Sequence, residues 1–218
     1  WTSSRLGYHG WLAGNGSDFT VLPSGITLWL HVPLANGPGV QLFAAEPKQP
    51  FINASDDLLP ETELGYKAGF ADGAFVDLNQ DGWDDFVLIR RKGGQATHAF
   101  FFVPDETVEW GGTFVGAPFN PVHGLYYPLW DNWSFIESFF GFYTLSHHAL
   151  AVVRADIDGD GDDDLFIGRD TANYIYENIA VAPWDPMDAT EFGLTAKFQA
   201  HLLESSILGG SDDSTSTE

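Results

Sequence analysis

Two short stretches of the chain combine clustered aspartates with glycine, and each lies between apolar runs. The denser one, Asp156–Asp164, has six carboxylates within nine residues, between Ala149–Val153 and Leu165–Ile167. The other, Asp77–Asp85, also has Asp at positions one, five, eight and nine and Gly at position six. We call Asp77–Asp85 loop 1 and Asp156–Asp164 loop 2. Carboxylates this close repel one another unless a cation lies among them, so the pair predicts bound cations held between strands.

Calcium suits the spacing of oxygen-bearing residues in both loops. It takes six to eight oxygens at about 2.3–2.6 Å, and positions one, three, five and nine of each loop carry such side chains. Glycine at position six permits the turn that offers the backbone carbonyl of position seven. We expect Asp84 and Asp163, at position eight, to point to solvent. The predicted ligands are Asp77, Asn79, Asp81, Asp85 and the Trp83 carbonyl in loop 1, and Asp156, Asp158, Asp160, Asp164 and the Asp162 carbonyl in loop 2.

The start of this pattern is shared with EF-hands, which the following residues exclude. An EF-hand needs a bidentate Glu at position twelve and a helix on either side. Position twelve is Leu88 in one case and Ile167 in the other, and the flanks are β-branched and apolar without helical spacing. The loops therefore belong between strands.

Composition limits the function classes. The chain has 218 residues, 44% of them hydrophobic, and a formal net charge of −22. Such an acidic chain disfavours nucleic acid and anionic membranes as partners, and no apolar run approaches the roughly 20 residues of a membrane helix. The absence of cysteine excludes disulfides and thiol catalysis. Bound metal and a salt-adapted surface both remain explanations for the excess acid.

Strand-like runs surround both loops in sets of four, and a degenerate third set lies near the N-terminus. Its shortened loop, Gly14–Asp18, has lost most acidic positions, so we do not expect it to bind metal. The landmark glycines Gly16, Gly82 and Gly161 are 66 and 79 residues apart, which predicts an all-β, propeller-like array of three to four four-stranded blades. The predicted strands are Tyr8–Ala13, Phe19–Leu22, Ile26–Val32 and Val40–Ala44; Gly73–Val76, Asp85–Arg90, His98–Val103 and Thr113–Gly116; and Ala149–Arg154, Asp164–Gly168, Asn173–Ile179 and Phe192–Phe198.

One domain, residues 1–208, accounts for nearly all of the chain. Its blades are expected at about 1–46, 66–118 and 145–200, with an aromatic-rich insertion at 120–148 and a Ser/Thr/Asp-rich tail at 209–218. Two further long loops are predicted, Glu46–Lys67 and Ala180–Glu191.

The loops and their flanks resemble FG-GAP or VCBS repeats, the units of integrin α-subunit propellers and of many secreted proteins. The runs that carry the resemblance are Ala74–Val87 and Val153–Phe166, and Asn173–Asn178 is similar to the third strand of such repeats. The resemblance implies that each calcium loop joins the first two strands of a blade. A closed propeller needs at least four blades, so it also implies an unrecognised blade, a longer protein, or a second chain that completes the ring.

Several function classes share this scaffold. We expect a non-catalytic extracellular module for adhesion, glycan recognition or assembly; the alternative is a polysaccharide lyase or hydrolase. No nucleophile motif appears, and His147 and His148 would point to opposite faces of a strand. Aromatic residues that can either stack on sugars or pack between blades are Trp110, Tyr126, Tyr127, Trp130 and Trp133.

Location is predicted from two weak signals. Asn-x-Ser sequons occur at Asn15, Asn53 and Asn132, which favours a glycosylated, secreted or cell-surface protein, with coincidence as the competing explanation. The sequence opens at Trp1, which fits the removal of a leader such as a signal peptide.

Overall fold

The computed structural model describes residues 14–33, 39–59, 70–90, 98–116, 119–120, 125–126, 149–169, 173–179, 183 and 198–203. These residues form three four-stranded antiparallel sheets, which confirms the all-β prediction. Sheet 1 contains β1 (Gly14–Val21), β2 (Thr27–Pro33), β3 (Gln41–Ala45) and β4 (Ile52–Asn53), followed by the one-turn helix α1 (Ser55–Leu58). Sheet 2 contains β5 (Phe70–Val76), β6 (Asp85–Arg90), β7 (His98–Pro104) and β8 (Gly112–Gly116). The short strands β9 (Phe119–Asn120) and β10 (Leu125–Tyr126) pair with each other, and sheet 3 contains β11 (Ala149–Ala155), β12 (Asp164–Arg169), β13 (Asn173–Asn178) and β14 (Phe198–Leu203).

Sheet 2 lies between the other two and is covered on both faces. Successive side chains of a strand point to opposite faces, so Phe86 and Leu88 of β6 pack towards sheet 1 while Val87 and Ile89 pack towards sheet 3. In each sheet the strands follow chain order, and the first strand of sheet 2 contacts the first strands of both neighbours. The described residues thus form a row of three stacked, blade-like sheets.

Sheet 1 differs from the prediction at its N-terminal end. Gly14–Asp18, predicted as a degenerate loop, is part of β1 and pairs with β2, with a register shift between Gly14 and Gly16. The actual β1–β2 connection is the turn at Leu22–Ile26, in which Gly25 has φ +86°. The Gly-Asn-Gly-Ser-Asp sequence was mistaken for a turn, because β1 accommodates its glycines at an irregularity in the pairing. The predicted strand Tyr8–Ala13 lies outside the described residues.

The fourth strands of sheets 1 and 3 also differ from their predicted positions. β4 and α1 lie within Glu46–Lys67, which was predicted as a loop, and Leu58 and Leu59 fill the core between sheets 1 and 2. β14 begins at Phe198, where the predicted strand Phe192–Phe198 ends, and residues 192–197 are outside the described part of the chain. The remaining strands of sheets 2 and 3 match their predicted bounds to within three residues.

Parts of the other predictions fall on undescribed residues. Most of the aromatic insertion 120–148 and the whole tail 209–218 lie outside the described ranges. Within those ranges, no helix is long and apolar enough to cross a membrane.

Candidate metal centre

Both loops occupy the predicted place in their sheets and lie next to each other. Loop 1 joins β5 to β6, and loop 2 joins β11 to β12. Because β5 and β11 are in contact, the loops that follow these two strands lie against each other. Between them is an open cleft of about 750 Å³, lined by Asp77, Gln80, Gly82, Asp84, Asp160, Gly161, Asp162 and Asp163.

Loop 2 gathers three of its five predicted ligands. Asp156, Asp158 and Asp164 each place one carboxylate oxygen within 4.8 Å of the other two. Oxygens around a single calcium ion at about 2.4 Å would lie at most about 5 Å apart, so this group can hold a metal ion. Asp160 lies outside this group, and its Oδ1 accepts a hydrogen bond from the Asp162 N–H at 3.2 Å.

The three predicted carboxylate ligands of loop 1, Asp77, Asp81 and Asp85, all lie in the described part of the chain but do not converge into such a group. Asp77 accepts hydrogen bonds from the backbone N–H groups of Asp81 (3.1 Å) and Gly82 (2.9 Å). Asp81 accepts the Trp83 N–H at 2.8 Å and the Asn79 Nδ2 at 2.9 Å. The loop therefore turns these carboxylates onto its own donors. The side chain of Trp83, predicted only as a carbonyl donor, stacks on Phe102 with ring centroids 5.2 Å apart.

Asn79, the predicted amide ligand of loop 1, is 2% exposed. Its Oδ1 is buried and has no hydrogen-bond partner. Buried acceptors are nearly always satisfied in folded proteins. An oxygen-coordinated cation would satisfy this amide oxygen, whose Nδ2 neighbour donates to the Asp81 carboxylate.

Position nine is a structural anchor that is repeated in both loops. Asp164 is 1% exposed, and its two oxygens accept the N–H groups of Ile157 and Asn178, both at 2.8 Å. These contacts tie the start of the loop to the third strand of the sheet. In loop 1 the equivalent contacts run to Asp85 from the N–H groups of Leu78 (3.1 Å) and Phe102 (2.8 Å).

Burial makes several of these carboxyls hold protons more tightly. It raises the pKa of Asp85 well above its usual range, and it also raises the pKa of Asp77. Burial, followed by the charge of Asp160, raises the pKa of Asp162 to about 7. A bound cation would offset these effects, because it stabilises the ionised form.

Two positions in each loop adopt left-handed backbone conformations. Position six does so as predicted, with φ +87° at Gly82 and +100° at Gly161. Position four was missed, although it also has positive φ: 84° at Gly159 and 59° at Gln80. Gly159 could have indicated this conformation in loop 2, whereas glutamine, which rarely adopts positive φ, gave no such indication at position 80 of loop 1.

The prediction that Asp84 and Asp163 point to solvent is wrong. Their side chains are 19% and 29% exposed, and both accept hydrogen bonds from Nη1 of Arg154, at 2.9 and 3.4 Å. The Thr20 hydroxyl of sheet 1 also donates to Asp84. Asp84 therefore joins all three sheets. Sequence reasoning missed Arg154 because its partners lie on other elements of the fold.

One candidate sugar platform has a structural role, and the exposed Asn53 of one sequon makes local hydrogen bonds. Trp110 is 5% exposed and packs in the core between sheets 1 and 2, so it is not available as a sugar platform. In the Asn53 sequon, Ser55 is 6% exposed, and Asn53 accepts hydrogen bonds from its N–H and its hydroxyl at 3.0 and 2.7 Å.

A comparison with models of known protein families found no match to the chain, and a comparison with curated proteins found no relative. The resemblance to FG-GAP or VCBS repeats therefore remains a prediction from the motif.

Proposed function

We propose that the chain is a calcium-stabilised extracellular binding or structural module of the FG-GAP or VCBS type, in which loops 1 and 2 each hold one Ca²⁺. The observation that carries the proposal is the convergence of Asp156, Asp158 and Asp164 in loop 2. The assignment of a calcium ion to loop 1 is supported by the buried Asn79 oxygen, which has no hydrogen-bond partner, and by the position-nine anchor that both loops share.

The donor set favours calcium over other metals. Both loops offer carboxylate and backbone oxygens, loop 1 adds the amide oxygen of Asn79, and neither loop contains His or Cys. Zinc and copper prefer nitrogen and sulfur ligands, whereas magnesium demands a near-ideal octahedron and keeps several waters. A chain-wrapped, oxygen-only loop fits the flexible coordination of calcium best.

The calcium would be structural. Each loop joins the first two strands of its sheet, so an ion bound there holds one end of the hairpin closed and compensates its clustered charge. Extracellular modules bind calcium with dissociation constants of about 10⁻⁴–10⁻³ M, which suits the predicted secreted or cell-surface location.

The outer face of sheet 3 is where we expect a partner. Val153, Phe166 and Ile175 lie side by side on this face, and Val153 is 54% exposed. In sheet 2, the residues equivalent to Val153 and Phe166 are covered by the next sheet in the row. We propose that another protein chain extends the array here; a glycan is the other partner class predicted from the sequence.

Thermal unfolding with and without calcium tests the proposal. Calcium at about 100 times its Kd should add about 2.7 kcal/mol per site, which is roughly 5–10 °C in Tm for a chain of this size. Excess EGTA should reverse the gain, and magnesium should not replace it. An unchanged Tm after chelation would show that the metal assignment is wrong.

A further inference from the structure

A buried chain of hydrogen bonds connects the two candidate cation sites. Asp85 of loop 1 accepts the N–H of Leu78 at 3.1 Å. The carbonyl of Leu78 accepts a hydrogen bond from Nδ2 of Asn178 at 3.4 Å, and the N–H of Asn178 donates to Asp164 of loop 2 at 2.8 Å. None of these four residues is more than 1% exposed. The two position-nine carboxylates are thus linked through one side chain.

Contacts at the surface of the cleft also link the loops. Gln80 donates from Nε2 to Asp162 at 2.7 Å, and the N–H of Asp77 lies 3.5 Å from the Asp163 carboxylate. Each contact pairs a residue of loop 1 with a residue of loop 2, so the loops also touch directly outside the buried chain.

The side chain of Asn178 is not required to anchor its own loop. The equivalent residue of sheet 2 is Phe102, whose backbone N–H makes the same contact with Asp85 at 2.8 Å. A phenylalanine therefore suffices for the position-nine anchor. The amide of Asn178 serves a different contact, the one to Leu78 in the neighbouring loop.

We propose that Asn178 is a positioning residue that couples the two cation sites, so that an ion in one loop raises the affinity of the other. The inference rests on the proposed function, since it requires both loops to bind calcium. An ion in loop 2 fixes Asp164, and through Asn178 it fixes the Leu78 backbone that holds Asp85. The second loop then loses less conformational entropy when it binds its own ion.

Calcium titration of the whole chain by isothermal calorimetry tests the coupling. The wild type should bind two ions with a Hill coefficient above unity. Asn178→Ala keeps the backbone donor to Asp164 but removes the buried link, so it should still bind two ions, with a Hill coefficient closer to unity than that of the wild type. Gln80→Gly should lower the Hill coefficient in the same direction. Val115→Ala, at the same interface between sheets 2 and 3, should leave it unchanged.

A variant that leaves Asn178 intact provides an independent measurement. Asp158→Ala removes an oxygen ligand and disables loop 2, so loop 1 of this variant should bind calcium at least about fivefold more weakly than the wild type does at half-saturation. Two ions bound with unit Hill coefficient in the wild type, or unchanged loop 1 affinity in Asp158→Ala, would overturn the coupling and leave the proposed function standing. A wild-type coefficient that Asn178→Ala does not change would overturn the role of Asn178. A chain that binds no calcium would overturn both proposals.

Discussion

Loops 1 and 2 share their backbone anchor and turn positions but differ in how deeply they are buried. Both are anchored at position nine and turn at two left-handed residues. Leu78 of loop 1 is 1% exposed, however, whereas the equivalent Ile157 of loop 2 is 41% exposed. Loop 1 belongs to the middle sheet and has a neighbour on either side, while loop 2 belongs to the last sheet of the described row.

The comparison distinguishes the features of a loop that its own sheet determines from those that differ with the sheets packed around it. The hairpin fixes the anchor and the turn in both loops. Carboxylates of both loops accept backbone N–H groups of their own loop: Asp77 from Asp81 and Gly82, Asp156 from Gly159, and Asp158 from Asp160. Among the described residues, three carboxylates converge in loop 2 and not in loop 1. Similar sequence patterns therefore give a convergent carboxylate group in one loop and not in the other.

The largest expected effect tests the shared anchor. Replacing Asp85 with Ala leaves two buried N–H groups without an acceptor, at about 1–3 kcal/mol each, whereas replacing Asp164 leaves one buried and one part-buried N–H group. We therefore predict that the free energy of unfolding, measured by urea denaturation in excess chelator, falls by about 2–6 kcal/mol in Asp85→Ala and by less in Asp164→Ala. The conservative Asp85→Asn and Asp164→Asn retain one acceptor oxygen and should lose less. A loss below about 1 kcal/mol in either alanine variant would mean that the anchor is not shared.

A smaller effect, on the pH dependence of stability, distinguishes the calcium-free loops from the loaded ones. The folded-state pKa of Asp162 is about 7, against an ordinary value of 3.8, and those of Asp77 and Asp85 are also raised. A raised carboxyl pKa contributes stability that is complete below the unfolded-state value and is lost as the pH rises through the folded-state value.

The calcium-free chain should therefore become less stable between about pH 4 and pH 7, as measured by urea unfolding across that range. Saturating calcium should reverse the trend, because the ionised carboxylates bind the metal. Asp162→Asn should flatten the calcium-free profile near neutrality. A calcium-free chain that gains stability steadily over this range would contradict the assigned shifts.

The smallest effect concerns position four of the loops. Gly159 has φ +84°, and a Cβ added there would meet no atom within 4 Å, so alanine would suffer backbone strain alone. We expect Gly159→Ala to lower the free energy of unfolding by about 1 kcal/mol. Gly168→Ala is the matched control, since its Cβ would make ordinary contacts from 3.6 Å outwards and its φ is not positive. Equal results for the two variants would argue against strain at position four.

The sequence predicted strands and turns correctly where the pattern that marks them lies within a few neighbouring residues. The strands next to the loops were predicted because apolar alternation and aspartate spacing lie within a dozen residues, and Gly82 and Gly161 turn as expected. The prediction of a third loop at Gly14–Asp18 was wrong because Gly14 and Gly16 are compatible with a strand as well as with a turn. A glycine alone does not distinguish these outcomes.

The links between the loops could not be predicted from sequence. Asn178 reaches a carbonyl 100 positions away, and Arg154 reaches an aspartate 70 positions away. Neither residue has a local pattern that marks it, and their partners depend on how sheets 2 and 3 stack. The prediction that Asp84 and Asp163, at position eight, point to solvent was wrong for the same reason. A charged residue in a loop is usually solvated, but here Arg154 of the neighbouring sheet binds Asp84.

The amount of calcium bound per chain, measured by equilibrium dialysis at saturating calcium, tests the central claim most directly. Two ions in the wild type, and one each in Asp81→Ala and Asp158→Ala, which remove an oxygen ligand from one loop, is the predicted result. A wild type that binds no calcium, or variants that still bind two ions, would contradict the assignment of one ion to each loop.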